Sequence, residues 1–103
     1  MNKYRNITTI ADGIAFDSKR EARRYQELLV LERAGAISQL ELQPRYPIVI
    51  NGIRVTTYVA DFRYVEAATG RQVVEDSKGY RTREYRLKSK LMAACHGIHI
   101  EEV

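Results

Sequence analysis

The sequence is poor in cysteine and proline and has no long hydrophobic segment. Its single cysteine, Cys95, has no second cysteine with which to form an internal disulfide. Only His96 and His99 lie near it in the sequence, which leaves a structural zinc site short of its usual four ligands. We therefore expect Cys95 to be a buried, packed side chain.

No segment is long and apolar enough to cross a membrane. The longest apolar runs, such as residues 48–50, contain a few residues, whereas roughly 20 are needed to span a bilayer. No hydrophobic stretch of signal-peptide length follows the first residues. The chain also lacks a Gly-x-x-x-x-Gly-Lys phosphate-binding loop, a Gly-x-Ser-x-Gly elbow and a His-Glu-x-x-His metal helix. We predict a cytoplasmic location, no membrane contact and no nucleotide cofactor.

The balance of charge is basic. The chain of 103 residues carries 17 Lys and Arg against 13 Asp and Glu, a formal net charge of +4. A positive surface suits a polyanionic partner, because each Lys or Arg placed against a phosphate releases a counterion. Many basic proteins never bind nucleic acid, so the charge alone does not identify the partner.

Capping signals predict two helices. The Ser-x-x-Glu pattern at residues 18–21 has the form of a capping box and begins a helix that runs from about residue 19 to residue 34. Thr82 is suited to cap a second helix, which Gly97 ends.

Alternating apolar residues and turn signals predict the strands. Asn51-Gly52 is typical of a hairpin turn, and a second turn is expected at residues 67–70. The order α-β-β-β-α-β predicts an α/β fold, a mixed β-sheet flanked by two helices, in one domain over residues 16–103. Residues 1–15 are expected to be an N-terminal arm that either contacts nucleic acid or forms a flexible, disordered tail. The predicted strands are residues 46–50, 53–65, 72–78 and 98–100.

A pair of carboxylates is predicted across the second hairpin. A four-residue turn centred between Ala68 and Thr69 opposes residues whose numbers sum to 137, and Asp61 and Asp76 are such a pair. Opposed residues on one face have Cβ atoms about 4.5–5.5 Å apart, so the two carboxylates converge. They repel unless a shared proton, a cationic neighbour or a divalent cation neutralises them. Oxygen ligands of this kind suit Mg²⁺ or Mn²⁺.

Lys78 is expected to join this pair, because side chains alternate along a strand and Lys78 follows Asp76 by two residues. With Asp61, these residues can hold a metal, neutralise charge on a phosphate and position an attacking water. The alternative is an exposed charge cluster in which Lys78 offsets the acids. A register shift of one residue would also break the opposition.

These residues carry a resemblance to a known family. Tyr-Val-Ala-Asp-Phe at residues 58–62 and Val-Val-Glu-Asp-Ser-Lys-Gly at residues 73–79 resemble the Asp…(Asp/Glu)-x-Lys signature of PD-(D/E)XK nucleases. The wider pattern after about residue 15 resembles short phage-encoded proteins assigned to that superfamily. The resemblance implies a restriction-endonuclease-like core, Mg²⁺-dependent phosphodiester hydrolysis in which Mn²⁺ can substitute, and a first-helix carboxylate that completes the metal site.

Glu21 fits the first-helix carboxylate, which predicts a metal site of Glu21, Asp61 and Asp76 and makes Lys78 the fourth catalytic residue. Glu21 is also the N3 residue of the capping box, where it would serve the helix terminus alone, and both roles stay open. Glu75 alternates to the face opposite Lys78, so we expect it to be a partner of the helix layer.

The second helix carries a basic face and directly follows the predicted strand that contains Asp76 and Lys78. Lys and Arg residues at helical spacing predict contacts to phosphates. The alternative is that this face is an ordinary solvent-exposed surface. The predicted DNA-binding residues are Arg81, Arg83, Arg86, Lys88 and Lys90.

The sequence therefore predicts a metal-dependent DNA endonuclease. So small a core has little surface for reading bases, which favours backbone and shape recognition, and a homodimer that cuts branched DNA such as a Holliday junction would suit it. The alternatives are a non-catalytic phage DNA-binding accessory protein with a nuclease-like fold, and a structural phage protein. The complete Asp, Asp, Lys set argues against the first of these, because acids beside phosphates hinder binding.

Overall fold

The computed structural model describes residues 9–77 and 81–103. The α/β class is confirmed, but the element order has more strands than the predicted α-β-β-β-α-β. The helices are α1 (Lys19–Arg33) and α2 (Arg83–His96). The strands are β1 (Thr9–Ala11), β2 (Ile14–Phe16), β3 (Ile37–Leu42), β4 (Arg45–Ile50), β5 (Ile53–Val59), β6 (Phe62–Glu66), β7 (Gln72–Asp76) and β8 (Glu101–Glu102).

The main sheet is mixed, as predicted. It has four strands in the order β3-β6-β7-β8, with antiparallel neighbours except for the parallel pair β7 and β8. In the β6–β7 hairpin, Phe62 is opposite Glu75 and Tyr64 is opposite Val73. Both pairs follow the predicted register, in which the residue numbers sum to 137.

The Asn51-Gly52 hairpin is confirmed as the connection between β4 and β5, which form a separate two-stranded sheet. Asn51 and Gly52 have φ angles of 52° and 77°. Two successive positive φ values match the twist of the flanking strands, and they explain why this dipeptide favours a hairpin.

The prediction of one strand over residues 53–65 is wrong, because the chain breaks at Ala60 and Asp61 into β5 and β6. Backbone hydrogen bonds to the link between β3 and β4 continue through the break, from Ala60 N to Pro44 O at 3.1 Å and from Gln43 N to Asp61 O at 2.9 Å. Gln43 has a φ of 51° at this point. The break therefore faces the link between β3 and β4, where no glycine signals a bend.

Both helices begin and end close to the predicted residues. The Ser18 hydroxyl accepts a hydrogen bond from the Glu21 N–H at 3.1 Å, and the Thr82 hydroxyl accepts one from the Tyr85 N–H at 3.0 Å. Gly97 ends α2 in the left-handed conformation, with a φ of 66°. In the described part of the chain, neither helix is long and apolar enough to cross a membrane.

Two expectations near the C-terminal end are wrong. The last strand is β8 at Glu101–Glu102, and not residues 98–100, because Ile98 and Ile100 pack against a hydrophobic cluster while the next residues pair with β7. Cys95 is exposed, since the apolar face of α2 is made by other residues, such as Met92.

The predicted N-terminal arm includes an ordered part. β1 and β2 form an antiparallel hairpin that contacts α1, and the Phe16 ring lies 5.0 Å from that of Tyr25 between centroids. Residues 1–8 of the predicted arm lie outside the described residues.

The two helices cover different faces of the sheet. Val73 packs with α1 residues such as Leu28, whereas Val74 packs with α2 residues such as Met92. Consecutive residues of a strand point to opposite faces, so the sheet has a hydrophobic cluster on each side.

Glu75 ties α1 to the sheet, as expected of a partner of the helix layer. Its carboxylate is 1% exposed and accepts hydrogen bonds from Arg24 Nε at 2.9 Å and Arg24 Nη2 at 2.6 Å. The Tyr64 hydroxyl donates a further bond to the same carboxylate. A buried carboxylate requires such partners, because an unpaired buried charge is strongly unfavourable.

We expect Glu75→Gln to lower the free energy of unfolding by about 2–4 kcal/mol, because it removes the buried anionic partner of the partly buried Arg24 guanidinium. Glu27→Gln is the matched control, since Glu27 also pairs with Arg24, at 3.0 Å, but from an exposed position. Its cost should be about 1 kcal/mol or less. Urea unfolding measures both values, and equal losses would contradict this role of Glu75.

Candidate active site

Asp61 and Asp76 are brought together at the ends of neighbouring strands. The Asp61 backbone N–H donates to Asp76 Oδ1 at 3.0 Å, and the Ser77 N–H donates to Asp61 Oδ2 at 2.7 Å. The Asp61 N–H also lies 3.1 Å from the Glu75 carbonyl oxygen. Each carboxylate thus accepts a hydrogen bond from a backbone N–H at or next to the other aspartate.

The break between β5 and β6 makes this arrangement possible. Asp61 lies in the break, immediately before β6, and Asp76 is the last residue of β7. Asp76 is completely buried and Asp61 is partly buried. Two carboxylates in this position repel when both are ionised, and hydrogen-bond donors, a proton or a cation relieve that repulsion.

Glu21 lies in the first turn of α1 and is buried. Its backbone N–H bonds to Ser18, so its position in the capping motif is observed. Among residues 9–77 and 81–103, no three His, Cys, Asp or Glu side chains are grouped closely enough to hold a metal ion. The predicted set of Glu21, Asp61 and Asp76 is therefore not assembled as a three-ligand cage. Lys78 lies outside the described residues, and its place beside the carboxylates stays a prediction.

The predicted DNA-binding residues, which lie on α2 or just before it, divide into two groups. Arg83, Arg86 and Lys90 are exposed. Arg81 pairs with Glu102 at 2.6 Å, and Lys88 pairs with Glu84 at 3.2 Å. The first group offers its charge directly to solvent, whereas the second is already engaged with acids of the protein.

A cleft that the sequence did not predict lies beside the start of α2. It has a volume of about 240 Å³. Tyr58, three residues before Asp61, lines the cleft together with Tyr85, whose hydroxyl donates to Glu102 Oε2 at 3.0 Å. The only sequence signal for this cleft is the position of Tyr58 within the motif at residues 58–62. The remaining lining residues are Thr57, Val59, Thr82, Glu84 and Lys88.

Comparison with known proteins places the chain in a sequence family. The sequence pattern of the family described as "Protein of unknown function (DUF1064)" matches residues 1–97. No curated protein and no solved structure matches the chain.

We expect the protein to lose stability in alkaline solution. Burial, together with hydrogen bonds to Glu75 and Glu102, raises the pKa of Tyr64 and of Tyr85 above the ordinary value of 10.0. Their stabilising contribution is complete below about pH 10 and is lost as the pH rises further, because only the unfolded state then ionises readily.

Urea unfolding from about pH 9 to about pH 12 measures this loss, since the slope of stability against pH reports the protons released on unfolding. The free energy of unfolding of the Tyr64→Phe variant should fall less steeply with pH than that of the wild-type protein. The variant has one fewer tyrosine that is protonated when buried and ionises on unfolding. Equal slopes of stability against pH in the two proteins would contradict this role of Tyr64.

Proposed function

We propose that this chain, which belongs to the DUF1064 family, is a metal-dependent DNA endonuclease of the PD-(D/E)XK type with a restriction-endonuclease-like core. The observation that supports this function best is the pair of hydrogen bonds that holds Asp61 and Asp76 together at the ends of β6 and β7. Two acids held side by side next to basic helix surfaces suit a site that binds a cation and a phosphate.

The donor set fits Mg²⁺ without a three-residue cage. Mg²⁺ is commonly bound through one or two carboxylates, with water and substrate phosphates as its other ligands. Asp61 and Asp76 would supply these carboxylates, and Glu21 is the candidate for a third. Mn²⁺ accepts the same oxygen ligands. When bound, the metal ion would activate water and offset negative charge on the phosphate.

The chain's own residues have distinct roles in this proposal. The N–H groups of Asp61 and Ser77 orient the two carboxylates. Lys78 would stabilise charge that develops on the phosphate. Arg83, Arg86 and Lys90 would bind the DNA backbone, while Arg81 and Lys88 would exchange an acidic partner for a phosphate.

The proposed substrate is branched DNA, such as a four-way junction, bound by a homodimer in the cytoplasm of a bacterial host. A small protein has little surface for contacting base edges, so recognition by backbone and shape is favoured. Sedimentation equilibrium would distinguish a monomer from the proposed dimer.

A non-catalytic DNA-binding protein is the second candidate. It is favoured by one observation: the described residues contain no group of three potential metal ligands. The two candidates differ in whether DNA is cut when a divalent cation is present.

We expect the wild-type protein to cleave labelled junction DNA with Mg²⁺ or Mn²⁺ and not with EDTA. Asp76→Asn should reduce cleavage at least about 100-fold, because it removes a charge that holds the cation while keeping an acceptor for the Asp61 N–H. Glu101→Gln is the matched control, since it alters an exposed acid on the neighbouring β8. Binding without cleavage under every metal condition would favour the non-catalytic candidate.

Two further variants in the same assay assign the other proposed residues. Glu21→Gln keeps the backbone N–H that bonds to Ser18, so a loss of cleavage would show that the carboxylate itself is needed. Lys78→Met should also reduce cleavage while DNA binding is retained, and unchanged cleavage would exclude Lys78 from the chemistry.

Mg²⁺ should raise the melting temperature of the wild-type protein, because a ligand that binds the folded state stabilises it. For a domain of this size and a millimolar site, we expect roughly 5 °C with excess Mg²⁺. KCl at the same ionic strength separates this effect from screening. Asp76→Asn should not respond to Mg²⁺, and an equal response in both proteins would exclude Asp76 as a ligand.

A further inference from the structure

A groove between α1 and the end of β7 lies next to the carboxylate pair. Its volume is about 180 Å³. Its lining residues are Arg20, Arg23, Arg24, Glu27, Ser77 and Val103. Three of these side chains are positively charged and one is negatively charged, so the groove favours an anion.

The three arginines are not equivalent. The Arg24 guanidinium bonds to Glu75 at 2.6 and 2.9 Å and to Glu27 at 3.0 Å, so its charge is balanced within the protein. Arg20 and Arg23 are exposed and lie three positions apart on the same face of α1. Arg24 therefore fixes the wall of the groove, and Arg20 and Arg23 supply its available charge.

Ser77 connects the groove to the carboxylates. Its backbone N–H donates to Asp61 Oδ2 at 2.7 Å. Its hydroxyl oxygen is buried and has no hydrogen-bond partner within the described ranges. A buried hydroxyl in this state is unfavourable, and a ligand group or water molecule that reached it would relieve this cost. The Val103 N–H donates to the Asp76 carbonyl at 3.0 Å, so a second lining residue is also anchored at the pair.

We propose that this groove binds a backbone phosphate of DNA through the side chains of Arg20 and Arg23. This phosphate would lie next to the one that is cleaved at Asp61 and Asp76. The inference rests on the proposed function, since it takes DNA as the substrate. Arginine suits this role because its planar guanidinium can form two parallel hydrogen bonds with phosphate oxygens.

The groove adds a second basic surface to the one on α2. α1 and α2 pack on opposite faces of the sheet, so the substrate would be held from two directions around the carboxylates. Contacts of this kind position the DNA without reading its sequence. They suit a substrate whose strands diverge, because each helix can follow a different strand.

The test is the affinity for a fluorescent four-way junction, measured by anisotropy in EDTA, so that binding is separated from cleavage. Arg20→Gln combined with Arg23→Gln should weaken binding about tenfold and reduce the slope of log K against log salt concentration by about one to two. Arg33→Gln is the control, since Arg33 is exposed in the last turn of the same helix and outside the groove. Circular dichroism checks that each variant is folded.

The outcomes separate this inference from the proposed function. The groove proposal would be overturned if the Arg20/Arg23 variant bound DNA with wild-type affinity, or if Arg33→Gln lost as much affinity per charge removed. Either result would leave the nuclease proposal intact. A selective loss of binding in the Arg20/Arg23 variant, together with no cleavage by the wild-type protein in Mg²⁺ or Mn²⁺, would support the groove and overturn the nuclease. No binding of DNA by the wild-type protein would overturn both.

Discussion

The register of β6 against β7 positions both the carboxylate pair and the buried residues of β7. The pairing of Phe62 with Glu75 places Asp61, one residue before β6, beside Asp76, the last residue of β7. The same ladder directs Val73 and Val74 into the hydrophobic clusters on opposite sides of the sheet. A shift of one residue would reverse every side chain of β7, so the core and the carboxylate pair are specified together.

Glu75 and Asp76 are adjacent acids in different environments. Glu75 faces α1, where Arg24 and the Tyr64 hydroxyl balance its charge. The Asp76 carboxylate accepts a hydrogen bond from the Asp61 N–H, and the Asp61 carboxylate accepts one from the Ser77 N–H. Glu75 therefore serves the packing of a helix on the sheet, whereas Asp76 belongs to a site where two acids converge.

The convergence of Asp61 and Asp76 is unfavourable for folding if both are ionised. Natural proteins violate a local rule of stability mainly where function requires it. The basic residues are distributed in agreement with this view. Arg20 and Arg23 lie on α1 beside Ser77, and Arg83, Arg86 and Lys90 are exposed on α2.

Local signals in the sequence were sufficient for the helix boundaries and for the turns. Ser18, Thr82 and Gly97 form the expected caps, and Asn51-Gly52 forms the expected hairpin turn. The register of the β6–β7 hairpin could also be predicted, because a turn of known length determines which residues face each other. These features depend on interactions between residues that are close in the chain.

Tertiary structure alone decided the features that join distant segments. The break at Ala60 and Asp61 is hydrogen-bonded to the link between β3 and β4 at Gln43, and β8 is placed by parallel pairing with β7 after α2 intervenes. The bond between Arg24 and Glu75 and the groove between α1 and Ser77 join residues about 50 positions apart. Hydrophobic periodicity gives the buried face of each element, but it does not say which polar side chains meet when those faces pack together.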